Sequence, residues 1–225
     1  VFLGGTGVVP MVLLYYGLLY DTMDIMAFAT MMNDPYILSM GISIPGALLI
    51  LGMTQYGRHL HELVLFRSER RYSMLLMGVG IASVLALLFL AGDILTRTYL
   101  QQLVPEPLRR LEGWLSPQQG GIVGWDTAGT VLFFIAGSAL APVFEESFFR
   151  GYLFDVVRGR LGRAPSYIWT SLFFAFVHLS LINFLGIFVA SLVLCWIYER
   201  YGLLPAVAAH GTYNGLTLIL YVLWP

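Results

Sequence analysis

Lysine is absent from these 225 residues, cysteine occurs once, and only 11% of the chain is charged. A soluble domain is nearer a quarter charged, so the scarcity of charge argues against an ordinary soluble fold. All twelve basic residues are arginine and the formal net charge is −1, with no basic tract to bind nucleic acid. The missing lysine reads as a compositional bias of the source genome. A lone cysteine rules out a disulfide framework. Cys195 lies in the run Leu192-Val193-Leu194-Cys195-Trp196 and reads as a small buried hydrophobe rather than a nucleophile. The chain opens at Val1 rather than methionine, which fits a fragment or a processed form, and no charged n-region of a signal peptide stands at its start.

What is present is apolar: 58% of residues are hydrophobic and the mean hydropathy is +0.78. Runs long enough to span a bilayer, allowing for tilt, lie near residues 3–20, 36–57, 74–92, 127–157, 165–180, 181–198 and 203–224. They predict an all-α polytopic bundle of about seven helices with a polar site near mid-membrane. No internal repeat or low-complexity linker interrupts it, so residues 1–225 read as a single integral-membrane domain. Arginines gather between the second and third runs (Arg58, Arg67, Arg70, Arg71), after the fourth (Arg158, Arg160, Arg163) and after the sixth (Arg200). The positive-inside rule then places those connections in the cytoplasm, with Val1 inside and Pro225 outside, in what is expected to be a prokaryotic plasma membrane. In the outer connection, Leu103, Leu108, Leu111, Trp114 and Leu115 interleave with Arg109, Arg110 and Glu112. This reads as a short interfacial helix, a surface anchor or a lid.

Against this background the run Phe144-Glu145-Glu146-Ser147-Phe148-Phe149-Arg150 is conspicuous. Ionisable groups inside the membrane are costly and mark functional sites by default. On a helix Glu146 and Arg150 are i,i+4 with the acid first, the favourable orientation for a pair. Glu145 is turned about 100° away and lacks that partner. The plain alternative is that both acids only hold helices together. Depth argues otherwise. Counted at 1.5 Å per residue from the cytoplasmic ends of their spans, Glu145 lies at about 18 Å, His178 at about 20 Å, His210 at about 12 Å and Asn214 at about 18 Å. His210 and Asn214 share one helix face, and Asn183 can approach the same level. Pro142 removes a backbone hydrogen bond just before the acids and is expected to kink or split the fourth span there, opening a cavity to water.

A carboxylate and an imidazole facing one water can generate a nucleophile, while a second imidazole and an amide can donate to a developing oxyanion. That set suits amide hydrolysis. Other intramembrane signatures match poorly. His61-Glu62 lacks the second histidine of H-E-x-x-H because Leu65 stands there. No G-x-S-G occurs, and Tyr20-Asp21 with Ala91-Gly92-Asp93 only faintly resembles a paired-aspartate site, since Leu90 replaces the first glycine of G-x-G-D. His59 and His61 read as interfacial polar residues beside Arg58.

Three motifs in order, Glu145-Glu146…Arg150, Phe174-Ala175-Phe176-Val177-His178 and His210-Gly211-Thr212-Tyr213-Asn214, resemble the CAAX prenyl protease and bacteriocin-processing family. They occupy residues 142–215. The resemblance implies an endopeptidase site within the bilayer that acts on a membrane-anchored protein or peptide. Glu145 and His178 would activate water, His210 and Asn214 would stabilise the oxyanion, and Glu146 and Arg150 would support the site. No cofactor is expected; the alternative is zinc held by Glu145, His178 and His210. Two other classes fit such a cluster: a proton-coupled transporter, disfavoured because no paired broken spans suggest inverted repeats, and a catalytically silent immunity or binding protein on the same scaffold.

Overall fold

The computed structural model describes residues 71–95, 125–178 and 183–223, together with 34–37, 39–40, 43, 46, 51 and 105–107. The expected first span, most of the second, the interfacial helix around Trp114, and the candidates at His59, His61 and Asp21 lie outside the described residues.

Every regular element among the described residues is helical. We number the long helices α1 (Arg71–Leu95), α2 (Thr127–Leu161), α3 (Arg163–Val177), α4 (Phe184–Tyr201) and α5 (Leu203–Leu223). Among the described residues, three stretches, Arg71–Leu88, Thr127–Leu161 and Phe184–Tyr201, are long and apolar enough to cross a membrane. A helical membrane bundle is therefore observed, while the expected number of seven spans rests partly on residues that are not described.

Local chemistry accounts for where the helices begin and turn. Asp126 caps α2, its carboxylate accepting from the Gly129 amide at 2.6 Å. Pro165 and Pro205 fall in the first turns of α3 and α5, where a missing N–H costs nothing. Single glycines join α2 to α3 and α4 to α5: Gly162 has φ 90° and ψ −175°, and Gly202 has φ 104° and ψ −176°. Only glycine adopts that region readily, so each turn reverses the chain within one residue.

The anticipated break at Pro142 takes a different form. The helix runs on from Thr127 to Leu161, but Ala136–Leu140 just before the proline is π-helical, as is Phe149–Phe154 just after the acids. A wider turn absorbs the missing N–H without ending the helix, and such turns recur at functional sites. The Ser138 carbonyl, to which Pro142 cannot donate, lies against Gly211 of α5. A Cβ built at Gly211 would collide with that oxygen. Small residues permit such backbone approach between membrane helices, and here the approach seats α5 against the wide turn of α2.

Helix α5 packs against α1 and against α2, and α3 lies against α4. One apolar cluster joins Ala82, Phe154, Leu194, Ile197, Tyr198 and Ala209. A second, smaller one joins Phe149, Phe174, Ala175 and Ile187. The polar centre lies beside both.

Candidate active site

Glu145, His178, His210 and Asn214, drawn from α2, the end of α3, and α5, line one cavity. Its remaining walls are apolar and include Leu85, Ile187 and Leu194. The four residues placed at similar depth by sequence are thus brought together. Asn183 is not among the lining residues; it stands at the start of α4. Cys195 is buried and unpaired in a disulfide, with its sulfur 3.8 Å from Ser171 Oγ.

The imidazole of His210 spans the two adjacent acids. Its Nδ1 lies 2.7 Å from Glu146 Oε1, and its Nε2 lies 3.9 Å from Glu145 Oε2. The 100° offset between neighbouring helical residues lets the two carboxylates reach opposite sides of one ring. Since a carboxylate accepts, Nδ1 is the nitrogen that donates to Glu146, and Nε2 faces Glu145. His178 is held in the same sense. Its Nδ1 lies 2.6 Å from the Phe174 carbonyl, and its Nε2 is 4.0 Å from the same Glu145 Oε2. Backbone carbonyl and carboxylate thus fix the two ring orientations, as partners of functional histidines commonly do.

Glu145 Oε2 is buried and has no hydrogen-bond partner among the described residues. Buried acceptors are rarely left so. Its two neighbouring nitrogens stand too far for direct bonds but at a separation that one water spans. Asn214 is 2% exposed and donates through Nδ2 to the Gly137 carbonyl at 3.3 Å. That bond uses one amide hydrogen and ties the asparagine to the first wide turn of α2.

Glu146 does more than the expected pairing. Arg150 Nη1 donates to Glu146 Oε1 at 2.8 Å, with both side chains wholly buried, and His210 meets the same oxygen. The guanidinium also lies 4.5 Å from the ring centre of Phe174, a cation–π contact. Its Nη2 donates to Ser191 of α4, 2.7 Å to Oγ and 3.3 Å to the carbonyl oxygen.

Sequence reasoning missed Gly137, Ser191 and the backbone role of Phe174. The last was within reach, because position i−4 of a helical histidine offers its carbonyl. Ser191 carried no signal: it is one small polar residue in an apolar run.

The fold and the site together define a helical membrane bundle with a buried carboxylate–histidine centre. A family model described as "Type II CAAX prenyl endopeptidase Rce1-like" matches residues 127–216, so over this stretch the chain is similar to that family. The matched segment runs from the start of α2 into α5 and contains all three motifs. No curated protein and no solved structure matches the chain.

Proposed function

We propose that the protein hydrolyses a peptide bond of a membrane-associated protein or peptide with a water activated by Glu145 and His178. The observation that carries this reading is the meeting of Glu145 Oε2 with two imidazole nitrogens, 4.0 Å and 3.9 Å away. A water among them surrenders a proton to Glu145 or to His178 Nε2 as its oxygen attacks the scissile carbonyl carbon. The carbonyl oxygen becomes an oxyanion. The second amide hydrogen of Asn214 faces it, as does Nε2–H of His210 whenever that ring carries two hydrogens. Collapse breaks the C–N bond, and the proton taken from water passes to the leaving amine. Glu146 and Arg150 hold His210 in place and take no part in bond making.

Zinc is the second reading for the same residues. Both histidines have Nδ1 engaged and Nε2 turned to a carboxylate, the arrangement common in metal-ligating histidines. If bound, the ion would be held by Glu145, His178 and His210 and would act as a Lewis acid on water and carbonyl. The separations of 4.0 Å and 3.9 Å are wider than the ~3.4 Å between ligands of a tetrahedral site with bonds of about 2.1 Å, and no group of three ligand side chains among the described residues is gathered closely enough to hold an ion. The metal-free route is therefore preferred.

The test is cleavage of a tagged membrane proteome by purified protein. Glu145→Gln and His178→Ala should each abolish cleavage while leaving folded protein, and exhaustive chelation should leave wild-type turnover unchanged. Full activity in either variant would remove the proposal. Activity lost to the chelator and restored by zinc alone would select the second reading.

A further inference from the structure

All three motifs come from α2, α3 and α5; α4 contributes none. Beyond the apolar wall it gives the cavity, α4 reaches the polar network through Ser191. We infer that Ser191 is a positioning residue: it holds the Arg150 guanidinium, so that Glu146 Oε1 stays in place to orient the His210 ring. The inference rests on the reading of His210 given above.

The geometry is a chain of short contacts. Ser191 Oγ accepts from Arg150 Nη2 at 2.7 Å, and the Ser191 carbonyl accepts from the same nitrogen at 3.3 Å. Arg150 Nη1 donates to Glu146 Oε1 at 2.8 Å, and His210 Nδ1 lies 2.7 Å from that oxygen. Ser191, Arg150 and Glu146 are each 0% exposed, so water cannot replace a missing partner. Glu146 Oε2 and Arg150 Nε lack hydrogen-bond partners. The guanidinium therefore has an alternative pose available, a two-pronged grip on both oxygens of Glu146, which is the geometry arginine and carboxylate favour when nothing else competes. Ser191 is what competes. By drawing Nη2 toward α4, it confines arginine to one prong and leaves the carboxylate in register with the ring. The ring of Phe174, under the guanidinium at 4.5 Å, limits movement on the remaining side.

Without the hydroxyl, Nη2 keeps only the longer contact to the Ser191 carbonyl and is free to swing to Glu146 Oε2. The carboxylate then turns toward arginine, His210 Nδ1–H loses its acceptor, and the ring exchanges toward the tautomer with hydrogen on Nε2. His178 is an internal control, because its Nδ1 partner is the Phe174 carbonyl and not a side chain of this network.

The experiment uses full-length protein in detergent micelles, carrying His59→Gln and His61→Gln so that two of the four histidines remain. ¹⁵N ring shifts report the tautomers at a pH where the rings are neutral. Wild type should show Nδ1–H at both. Ser191→Ala should move the His210 signals toward Nε2–H and leave those of His178 in place. Ser191→Thr, which keeps the hydroxyl, should restore the wild-type pattern. Alongside, Ser191→Ala should lower kcat by about 10- to 100-fold, the range seen for losing the outer partner of a ligating histidine, with KM little changed, because a ring that Glu146 no longer holds loses its fixed orientation and the support for its second hydrogen. Unchanged His210 shifts in a folded Ser191→Ala protein overturn the inference, whatever happens to kcat. A Thr variant that is folded but leaves the Ala pattern in place overturns it too. Because the ring signals need no substrate, a protein that cleaves nothing would defeat the proposed function without deciding the role of Ser191.

Discussion

Glu146 and Glu199 each gather arginine, and their surroundings could hardly differ more. Glu146 meets Arg150 inside the bundle, both side chains at 0% exposure and 2.8 Å apart. Glu199, near the end of α4, meets Arg158 at 2.6 Å and Arg163 at 2.8 Å, but those arginines are 43% and 67% exposed. Glu199 itself is 14% exposed; it also takes Tyr167 OH at 2.7 Å and pins the end of α2 and the start of α3 to α4. In distance the pairs are alike, so geometry alone would rank them equal. Physically they are not equal. At the rim, water hydrates an arginine that loses its partner and salt screens the attraction, so such a pair contributes little. In the interior an abandoned charge has no such refuge, and breaking a buried pair from one side costs about 3–5 kcal/mol. The buried pair also has a further duty, since its carboxylate holds the His210 ring.

The largest predicted effect follows directly. Glu146→Gln strands Arg150 and should destabilise the protein by about 3–5 kcal/mol, seen as a lower melting temperature in detergent, with activity falling in step with folded protein. Replacing both (Glu146→Gln with Arg150→Met) should recover part of that stability without recovering turnover. A Glu146→Gln protein as stable as wild type yet wholly inactive would mean that Glu146 does the chemistry. The comparison extends from charge to packing at Gly211, whose added Cβ would strike the Ser138 carbonyl. Gly211→Ala should cost about 1–3 kcal/mol by overpacking, and an unchanged melting temperature would show that α5 can retreat from α2. The smallest effect belongs to the rim. Glu199→Gln should cost about 1 kcal/mol or less and lose its difference from wild type at 1 M salt. A loss matching that of Glu146→Gln would show that the two environments are not as distinct as their exposure implies.

How much of this could be read from the chain depends on periodicity. The pairing of Glu146 with Arg150 follows from an i,i+4 spacing, and the meeting of Glu145, His178, His210 and Asn214 follows from counting residues along spans. Both are properties of regular helices. Where the backbone departs from regularity the sequence is mute: Pro142 announced a disturbance, yet nothing in Ala136–Leu140 says that the disturbance is a wide turn within a continuous helix. The bond between Glu146 and His210 was equally hidden, because it depends on how α2 and α5 are rotated about their axes. Ser191 escaped notice for a different reason. A serine in an apolar helix usually bonds to its own backbone, and only the packing of α4 beside Arg150 gives it another partner. The membrane-bundle class was legible from composition alone, whereas the orientation across the bilayer and the expected first span remain expectations of the sequence.

Two neighbouring acids do different work in this site, and one measurement addresses that most directly: turnover and melting temperature of Glu145→Gln, taken on the same detergent-solubilised sample. The substitution is nearly isosteric, removes a group that can accept a proton, and leaves Glu146, Arg150 and the His210 bond untouched. The predicted result is a protein that melts with the wild type and cleaves nothing. Cleavage at the wild-type rate, or a protein that unfolds, would contradict it.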